Sequence, residues 1–351
     1  MKILFPFIGD SIGGSHVSSV VLIRELIRLN IDVKIVVQES GKLESYIWDI
    51  GATPQFIEVP YKISKGDRFI IQLFKGVFNF FALRRILKKM DIDIVHTNDI
   101  RNHIQWMIAS RFYCKHVLHL RTDIKNRNLW GFFFSQTEKV VAISDYLKFK
   151  VCEPKVSRIY NPIDFIEYNH EMEKSRIYDR LGFVDGSRNK ILIGYIGRLE
   201  ISKGIKQFLN VSTEFQDEVF IIAGSGSCEW MLGRGRVHHL GFVSDVPALL
   251  SAIDIVVLPS HSEGFGRVLI EAAMQGCAII ASDIPAHSEA AKSVRHCKFF
   301  PVGDDLECAT QIRSCLEEIK MGCLRDNRAE THLFDPTSHA ESILDVYKSI
   351  L

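Results

Sequence analysis

Asp254-Ile-Val-Val-Leu258 leads straight into Pro259-Ser-His-Ser-Glu-Gly-Phe-Gly-Arg-Val-Leu-Ile-Glu-Ala-Ala-Met-Gln-Gly276. The first run reads as a buried strand, and Val268 to Gln275 reads as a helix. Between them lies a turn of glycine and small residues. A strand–turn–helix junction of this kind aims helix amides and the positive end of the helix dipole at whatever binds beyond the strand, which makes an anion site. Gly264 and Gly266 let the backbone come close to a ligand. Glu263 sits in the turn, and Glu271 lies two turns further on, where a carboxylate reaches polyol hydroxyls of the same ligand. Phosphate and polyol together describe a nucleotide sugar. Two glutamates so spaced also occur in ordinary amphipathic helices, so the whole junction carries the reading rather than the pair.

A second junction agrees. Ile191-Leu-Ile-Gly-Tyr-Ile196 is a short apolar strand, followed by Gly197-Arg198-Leu199-Glu200-Ile201-Ser202-Lys203-Gly204 and a helical pattern from Ile205. Arg198 offers a planar fork of donors and Lys203 a point charge, and both can converge on one pyrophosphate. The plainer alternative is a solvated pair of cations, but a cation at a helix start opposes the helix dipole.

Together the two junctions resemble the donor-site signature of the retaining glycosyltransferases of family 4. The resemblance is specific in the second half of the chain and looser in the first. It implies an α/β chain of GT-B type, with two Rossmann-like doubly wound domains facing each other across a cleft. It also implies roles. Glu263 orients the donor sugar, Glu271 holds the ribose, and the backbone of Gly264, Phe265 and Gly266 contacts phosphate and sugar. Arg198 and Lys203 stabilise the leaving diphosphate without a metal, so Glu263, Arg198 and Lys203 form the catalytic set. No covalent nucleophile presents itself.

The rest of the chain fits two such domains. Ile3 to Ile8, Ile31 to Val37, Ile94 to Thr97, His116 to Leu120 and Lys139 to Ile143 read as strands. So do Ile191 to Ile196, Val219 to Ala223, Val237 to Leu240, Ile255 to Leu258 and Ala278 to Ala281. Their alternation with helical patterns predicts parallel sheets covered on both faces. The expected domains are 1–163 for the acceptor and 164–335 for the nucleotide sugar. Residues 336–351 are expected as a terminal helix returning to the first domain, as the resemblance implies.

Further site residues rest on the resemblance. Gly14, in a Gly-Gly turn after the first strand, is expected near the donor phosphate. Gly224, Phe242 and Val243 are expected near the nucleotide base, although each also suits plain turn chemistry. Many relatives carry a histidine where this chain has Arg121. Arg121 is therefore expected to bind an anionic acceptor or sugar, with a salt bridge to Asp123 as the alternative. His119, His96 and Ser144 complete the expected acceptor set, with burial the favoured alternative for His96. Asp91-Ile-Asp93 fits an Asp-x-Asp metal pattern but reads as a turn before the next strand.

Composition bounds the rest. The 351 residues, 47% hydrophobic, suffice for two cores. No apolar run is long enough to span a bilayer, and the opening apolar stretch is too short for a signal peptide. The eight cysteines form no Cys-x-x-Cys pair, which argues against zinc and thiol–disulfide chemistry. Charge is uneven, with 24 lysines and arginines against 16 acids in residues 1–165, and 19 against 26 beyond. A basic first half suits an anionic membrane surface or acceptor, and no nucleic-acid motif accompanies it. The basic, aromatic stretch Tyr61 to Met90 is either a membrane-surface element or a core helix with a basic solvated face. The expected activity is transfer of a sugar from a nucleoside-diphosphate donor, UDP-linked by the family pattern, to a hydroxyl of a glycan or lipid-linked acceptor. No cofactor and no metal are expected, and the expected place is the cytoplasm, at the inner face of the membrane. A non-catalytic GT-B subunit and a nucleotide-sugar epimerase are the alternatives.

Overall fold

The computed structural model describes residues 1–9, 12–64, 67–124, 127–151, 155–183, 190–322 and 327–351. Lys65, Cys152, Cys323 and residues 184–189 lie outside them. The chain forms two compact units, Met1–Asp164 with Leu333–Leu351, and Phe165–His332.

Unit one runs β1 (Lys2–Phe7), α1 (Gly14–Arg28), β2 (Asp32–Val37), α2 (Lys42–Asp49), β3 (Gln55–Phe56), α3 (Phe69–Met90), β4 (Ile94–Thr97), α4 (Ile100–Ser110), β5 (Lys115–Leu120), α5 (Arg127–Ser135), β6 (Lys139–Ala142), α6 (Asp145–Val151) and β7 (Val156–Arg158). The strands pair in parallel, in the order β3-β2-β1-β4-β5-β6-β7. Alternation along β1 divides the core. Ile3, Phe5 and Phe7 pack with Val20, Ile23 and Leu26 of α1, whereas Leu4 packs with Leu83, Leu87 and Trp106 of α3 and α4. Both faces are therefore apolar, as a parallel sheet requires.

Unit two runs α7 (His170–Arg180), β8 (Leu192–Ile196), α8 (Ile205–Ser212), β9 (Val219–Ala223), β10 (Val237–His239), α9 (Val246–Ala252), β11 (Ile255–Leu258), α10 (Arg267–Met274), β12 (Ala278–Ser282), α11 (Pro285–Ala291), β13 (Lys298–Phe300) and α12 (Asp305–Lys320). Its sheet is parallel too, in the order β10-β9-β8-β11-β12-β13.

The chain then re-enters unit one as α13 (Pro336–Lys348), whose Ala340, Ile343 and Tyr347 join the core beside Ile3 and Phe5. Asp164 and Leu333–Asp335, expected in the second domain, belong to unit one. Arg24 grips both Asp164 oxygens at 2.8 and 2.6 Å, and the Ile163 N–H bonds the Phe334 carbonyl at 2.9 Å.

Helix starts differ in a telling way. Helices α4, α7, α9, α12 and α13 begin on an Asp or Asn whose side chain accepts a backbone N–H. Helices α1, α8 and α10, which follow β1, β8 and β11, begin on Gly13, Gly204 and Gly266 with no side-chain cap. Those three strands are the central ones, where each strand order reverses.

Candidate active site

In an open parallel sheet, ligands bind beyond the carboxyl ends of the strands at the point where the order reverses. In unit two that point lies between β8 and β11. The loops leaving these strands are stitched together. The His261 N–H donates to the Ser202 carbonyl at 2.9 Å. Gly204 stands at φ +73°, and a Cβ there would run into the Pro259 carbonyl oxygen. The Lys203 ammonium meets the Glu263 carboxylate at 2.6 Å, and the Ser260 hydroxyl donates to its other oxygen at 2.9 Å. Burial pushes the Glu263 carboxyl up, but Lys203, His287 and the Ser260 hydroxyl together hold it below the usual carboxylate value. Glu263 is therefore an ionised acceptor rather than an acid.

The second half of the motif is paired as well. Glu271 accepts from Arg267 Nε at 2.6 Å, one helical turn back. Arg198 bonds Glu200 at 2.7 Å and is half exposed, while the Tyr195 hydroxyl donates to the Arg198 carbonyl at 2.7 Å. Arg198 and Lys203 thus each hold a different carboxylate. Gly266 stands at φ +90° as the start of α10, and a Cβ there would come 2.9 Å from the His287 ring. His287 Nδ1 donates to the Ser282 carbonyl at 3.0 Å, and burial lowers its pKa against the pull of Glu263. Phe265 is buried in the fold, which leaves only its backbone to face a ligand.

The neighbouring loops close on the same edge. The Leu199 N–H bonds the Ser225 carbonyl at 3.0 Å, and the Gly224 N–H bonds the Gly241 carbonyl at 2.8 Å. Side chains at Gly224 or Gly226 would strike the backbone of Gly197 or Leu199, so close packing of loops explains both glycines. Phe242 is exposed and Val243 partly so.

The residues expected at the acceptor lie mostly inside the fold. Arg121 is buried, donating to Asn98 Oδ1 at 3.2 Å, to Asn161 Oδ1, and to His119 Nδ1 at 3.1 Å. Asp123 holds Lys150 at 2.5 Å and Tyr146 at 3.1 Å. His96 and His119 are fully buried, and His96 Nδ1 lies 2.6 Å from the Tyr347 hydroxyl. Ser144 is also buried, and its hydroxyl accepts the Leu147 N–H at 3.1 Å at the start of α6. Interior strand residues near β-strand ends look alike in sequence whether they face solvent or core. Gly14 is exposed, as the first residue of α1. Asp91 turns the chain at φ +55° after α3 and pairs with Lys2 at 2.8 Å, while Asp93 accepts the Lys2 N–H at 2.7 Å. Sequence reasoning singled out neither Arg267 nor His287; the i, i+4 spacing to Glu271 is a signal that points to Arg267, whereas His287 carries no local one.

Two parallel α/β units, one with glycine-started helices at its strand reversal, fit the GT-B class of fold. Residues 12–166 match the model described as Glycosyltransferase Family 4, and residues 190–318 match Glycosyl transferases group 1. The chain belongs to family 4 of the GT-B glycosyltransferases. It is 26% identical over 288 residues, 72% of each chain, to the Escherichia coli UDP-Gal:alpha-D-GlcNAc-diphosphoundecaprenol alpha-1,3-galactosyltransferase. It is 31% identical over 202 residues to the Campylobacter jejuni N,N'-diacetylbacillosaminyl-diphospho-undecaprenol alpha-1,3-N-acetylgalactosaminyltransferase, spanning 56% of this chain and 52% of that one. Anabaena HepE in complex with UDP and glucose superposes with a TM-score of 0.82 at 19% identity, covering 99% of this chain and all of that one.

Proposed function

We propose that this glycosyltransferase moves a sugar from a UDP-sugar to a hydroxyl of a lipid-linked glycan in surface-polysaccharide or lipopolysaccharide synthesis, with retention at the anomeric carbon and without a metal. It would work in the cytoplasm, against the inner face of the membrane. The relatives' lipid-linked diphospho-sugar acceptors and the UDP bound by HepE support the choice of substrates. One observation carries the assignment to this site. Lys203 and Glu263 meet at 2.6 Å across the two loops that flank the strand reversal.

A bond to a diphosphate leaving group breaks with negative charge developing on the phosphate oxygens. Fixed cations and amides aimed at that charge are the main electrostatic aid available to the protein. Lys203, held by Glu263, and Arg198 serve as those cations, while the start of α10 supplies amides. Glu263, kept ionised, accepts a hydroxyl of the donor sugar, and Glu271 accepts the ribose hydroxyls. The departing phosphate takes the acceptor proton, so attack occurs on the face the leaving group vacates.

The test is calorimetric titration with UDP-, GDP-, ADP- and CMP-sugars, with and without EDTA, on the wild type and Lys203→Ala. Metal-independent binding of a UDP-sugar is expected. Turnover should fall about a hundred- to a thousandfold in the variant, with its circular dichroism unchanged. Equal turnover in the variant would end the reading.

A further inference from the structure

The first half of helix α3 buries polar residues and exposes apolar ones, whereas its second half buries Leu83 and Leu87 in the usual way. Over its first three turns the fully buried residues are Gln72, Gly76 and Asn79, with Phe69 edge-on to Phe133 as an apolar contact beside them. Gln72 donates to the Asp67 carbonyl at 2.9 Å, and Asn79 exchanges two bonds with the Tyr61 backbone at 2.8 and 3.0 Å. Gly76 lets α4 come close, where a Cβ would sit 3.3 Å from Ile108. The outward stripe is apolar. Ile70, Phe74, Val77, Phe78 and Phe81 are each more than half exposed, Phe81 at 82%. A surface helix of a water-soluble fold places these two sets the other way round. The stripe continues into exposed Arg85, Lys88 and Lys89, and exposed Lys62 and Arg68 stand before the other end. Helix α3 contains no aspartate or glutamate.

We propose that this face docks the protein on an anionic bilayer surface. The phenylalanines enter the boundary between headgroups and acyl chains, and the cations meet headgroup phosphates. A second copy of the chain is a worse occupant. Neither part of the stripe offers a carboxylate, so parallel pairing sets like charges together and antiparallel pairing leaves the cations without an anionic partner, which headgroup phosphates supply. Among the described residues no helix is long and apolar enough to cross a membrane, so the contact is lateral. The inference rests on the proposed lipid-linked acceptor for its purpose, since docking brings the enzyme to the surface from which such an acceptor projects.

The full chain is co-sedimented with vesicles of phosphatidylcholine alone and of phosphatidylcholine mixed equally with phosphatidylglycerol, and UDP binding is measured on the same preparations. Binding to the mixed vesicles, weakened by salt, is expected. Joint replacement Phe74→Ser, Phe78→Ser and Phe81→Ser should lower it by about tenfold or more. Joint replacement Arg85→Gln, Lys88→Gln and Lys89→Gln should lower it about a hundredfold, at roughly fivefold per cation. All six positions are exposed, and UDP binding should stay unchanged in both variants, which also reports that they fold. Docking is refuted if the wild type ignores both vesicles, or if either variant binds as the wild type does. It is also refuted if the phenylalanine variant changes only the oligomeric state, which would make the stripe a self-interface. Vesicle binding with no UDP binding would instead remove the donor-site reading and leave the docking face standing.

Discussion

Lowering the pH should undo unit one through its buried histidines. His96, His103, His116, His119 and His339 all lie within it, each almost fully inaccessible. Burial holds each in the neutral form, and Arg121 pushes the same way on His96, His119 and His339. His103 and His339 are lowered to about 3. In the unfolded chain the same residues titrate near the ordinary value of about 6.5. The unfolded state therefore binds more protons than the folded one between those two values. Stability is complete above the unfolded value and is lost as pH falls through it. Between about pH 7 and pH 5, each of these two histidines takes away about 2 kcal/mol. Together they remove about 4 kcal/mol, and the other three act in the same direction. A whole domain commonly has only about 5–15 kcal/mol to lose.

The assay is hydrogen exchange read by mass spectrometry at the two pH values, corrected for the intrinsic exchange rate. Peptides from β4 and β5 report unit one, and peptides from β8 and β11 report unit two, where His287 is the described buried histidine with a lowered pKa. Protection in β4 and β5 should fall by the amount above or more, and by more than in β8 and β11. His339→Asn keeps a donor for the Tyr160 carbonyl, which His339 Nδ1 now bonds at 2.7 Å. The variant should reduce the pH dependence by about one histidine's share, about 2 kcal/mol. Unit-one protection that is equal at both pH values, or an undiminished dependence in His339→Asn, would refute the argument.

Three further outcomes are expected. Gly204→Ala forces a side chain into the Pro259 carbonyl at a left-handed position, so unit two should lose more than about 2 kcal/mol in urea denaturation. Glu271→Gln removes a charged acceptor, so UDP affinity should fall about ten- to a hundredfold by calorimetry, and an unchanged value would detach Glu271 from the ribose. Glu200→Gln releases Arg198 from its 2.7 Å partner, so UDP should bind more tightly, by about two- to fivefold for a largely exposed pair. Weaker binding there would mean that Glu200 orients Arg198 rather than competing for it.

The central strands were legible because burial on both faces makes them continuous apolar runs. Ile94–Thr97, Val219–Ala223 and Ile255–Leu258 fall where the apolar runs place them. The short strands β3, β7 and β13, of two or three residues, were missed, because edge strands pair along one side and need little apolar sequence. The loops after β8 and β11 stand out in sequence for a related reason. Glycines that must admit a neighbouring backbone, and charges placed beside them, leave a local pattern. The residues expected at the acceptor show no such pattern. Arg121, His119 and His96 sit where a ligand-facing residue would sit, but whether a strand end opens to solvent depends on α13, which returns from the far end of the sequence with Tyr347 and His339. In sequence, helix α3 stays open between a core helix and a membrane-surface element. Its phenylalanine spacing suits burial, and only the positions of Gln72, Gly76 and Asn79 reveal which side faces the fold.

The proposed donor site holds its charges in matched pairs, Arg198 with Glu200, Lys203 with Glu263, and Arg267 with Glu271. Three cations and three carboxylates give this set no net charge with which to attract a diphosphate. The pull must come from the amides and dipole at the start of α10, where Gly266 supplies no side-chain cap. The pairs serve a different purpose. They hold long, flexible side chains in place before the donor arrives, so less rotamer entropy is lost on binding. A diphosphate must then share or displace each carboxylate, and the three pairs differ in how readily they yield. Arg198 is half exposed and exchanges its partner against water at little cost. Lys203 and Glu263 are less exposed, so separating them costs more, and the ligand that does so must satisfy both. A phosphate oxygen for the ammonium and a sugar hydroxyl for the carboxylate meet that demand together, whereas free phosphate or free sugar meets only half of it.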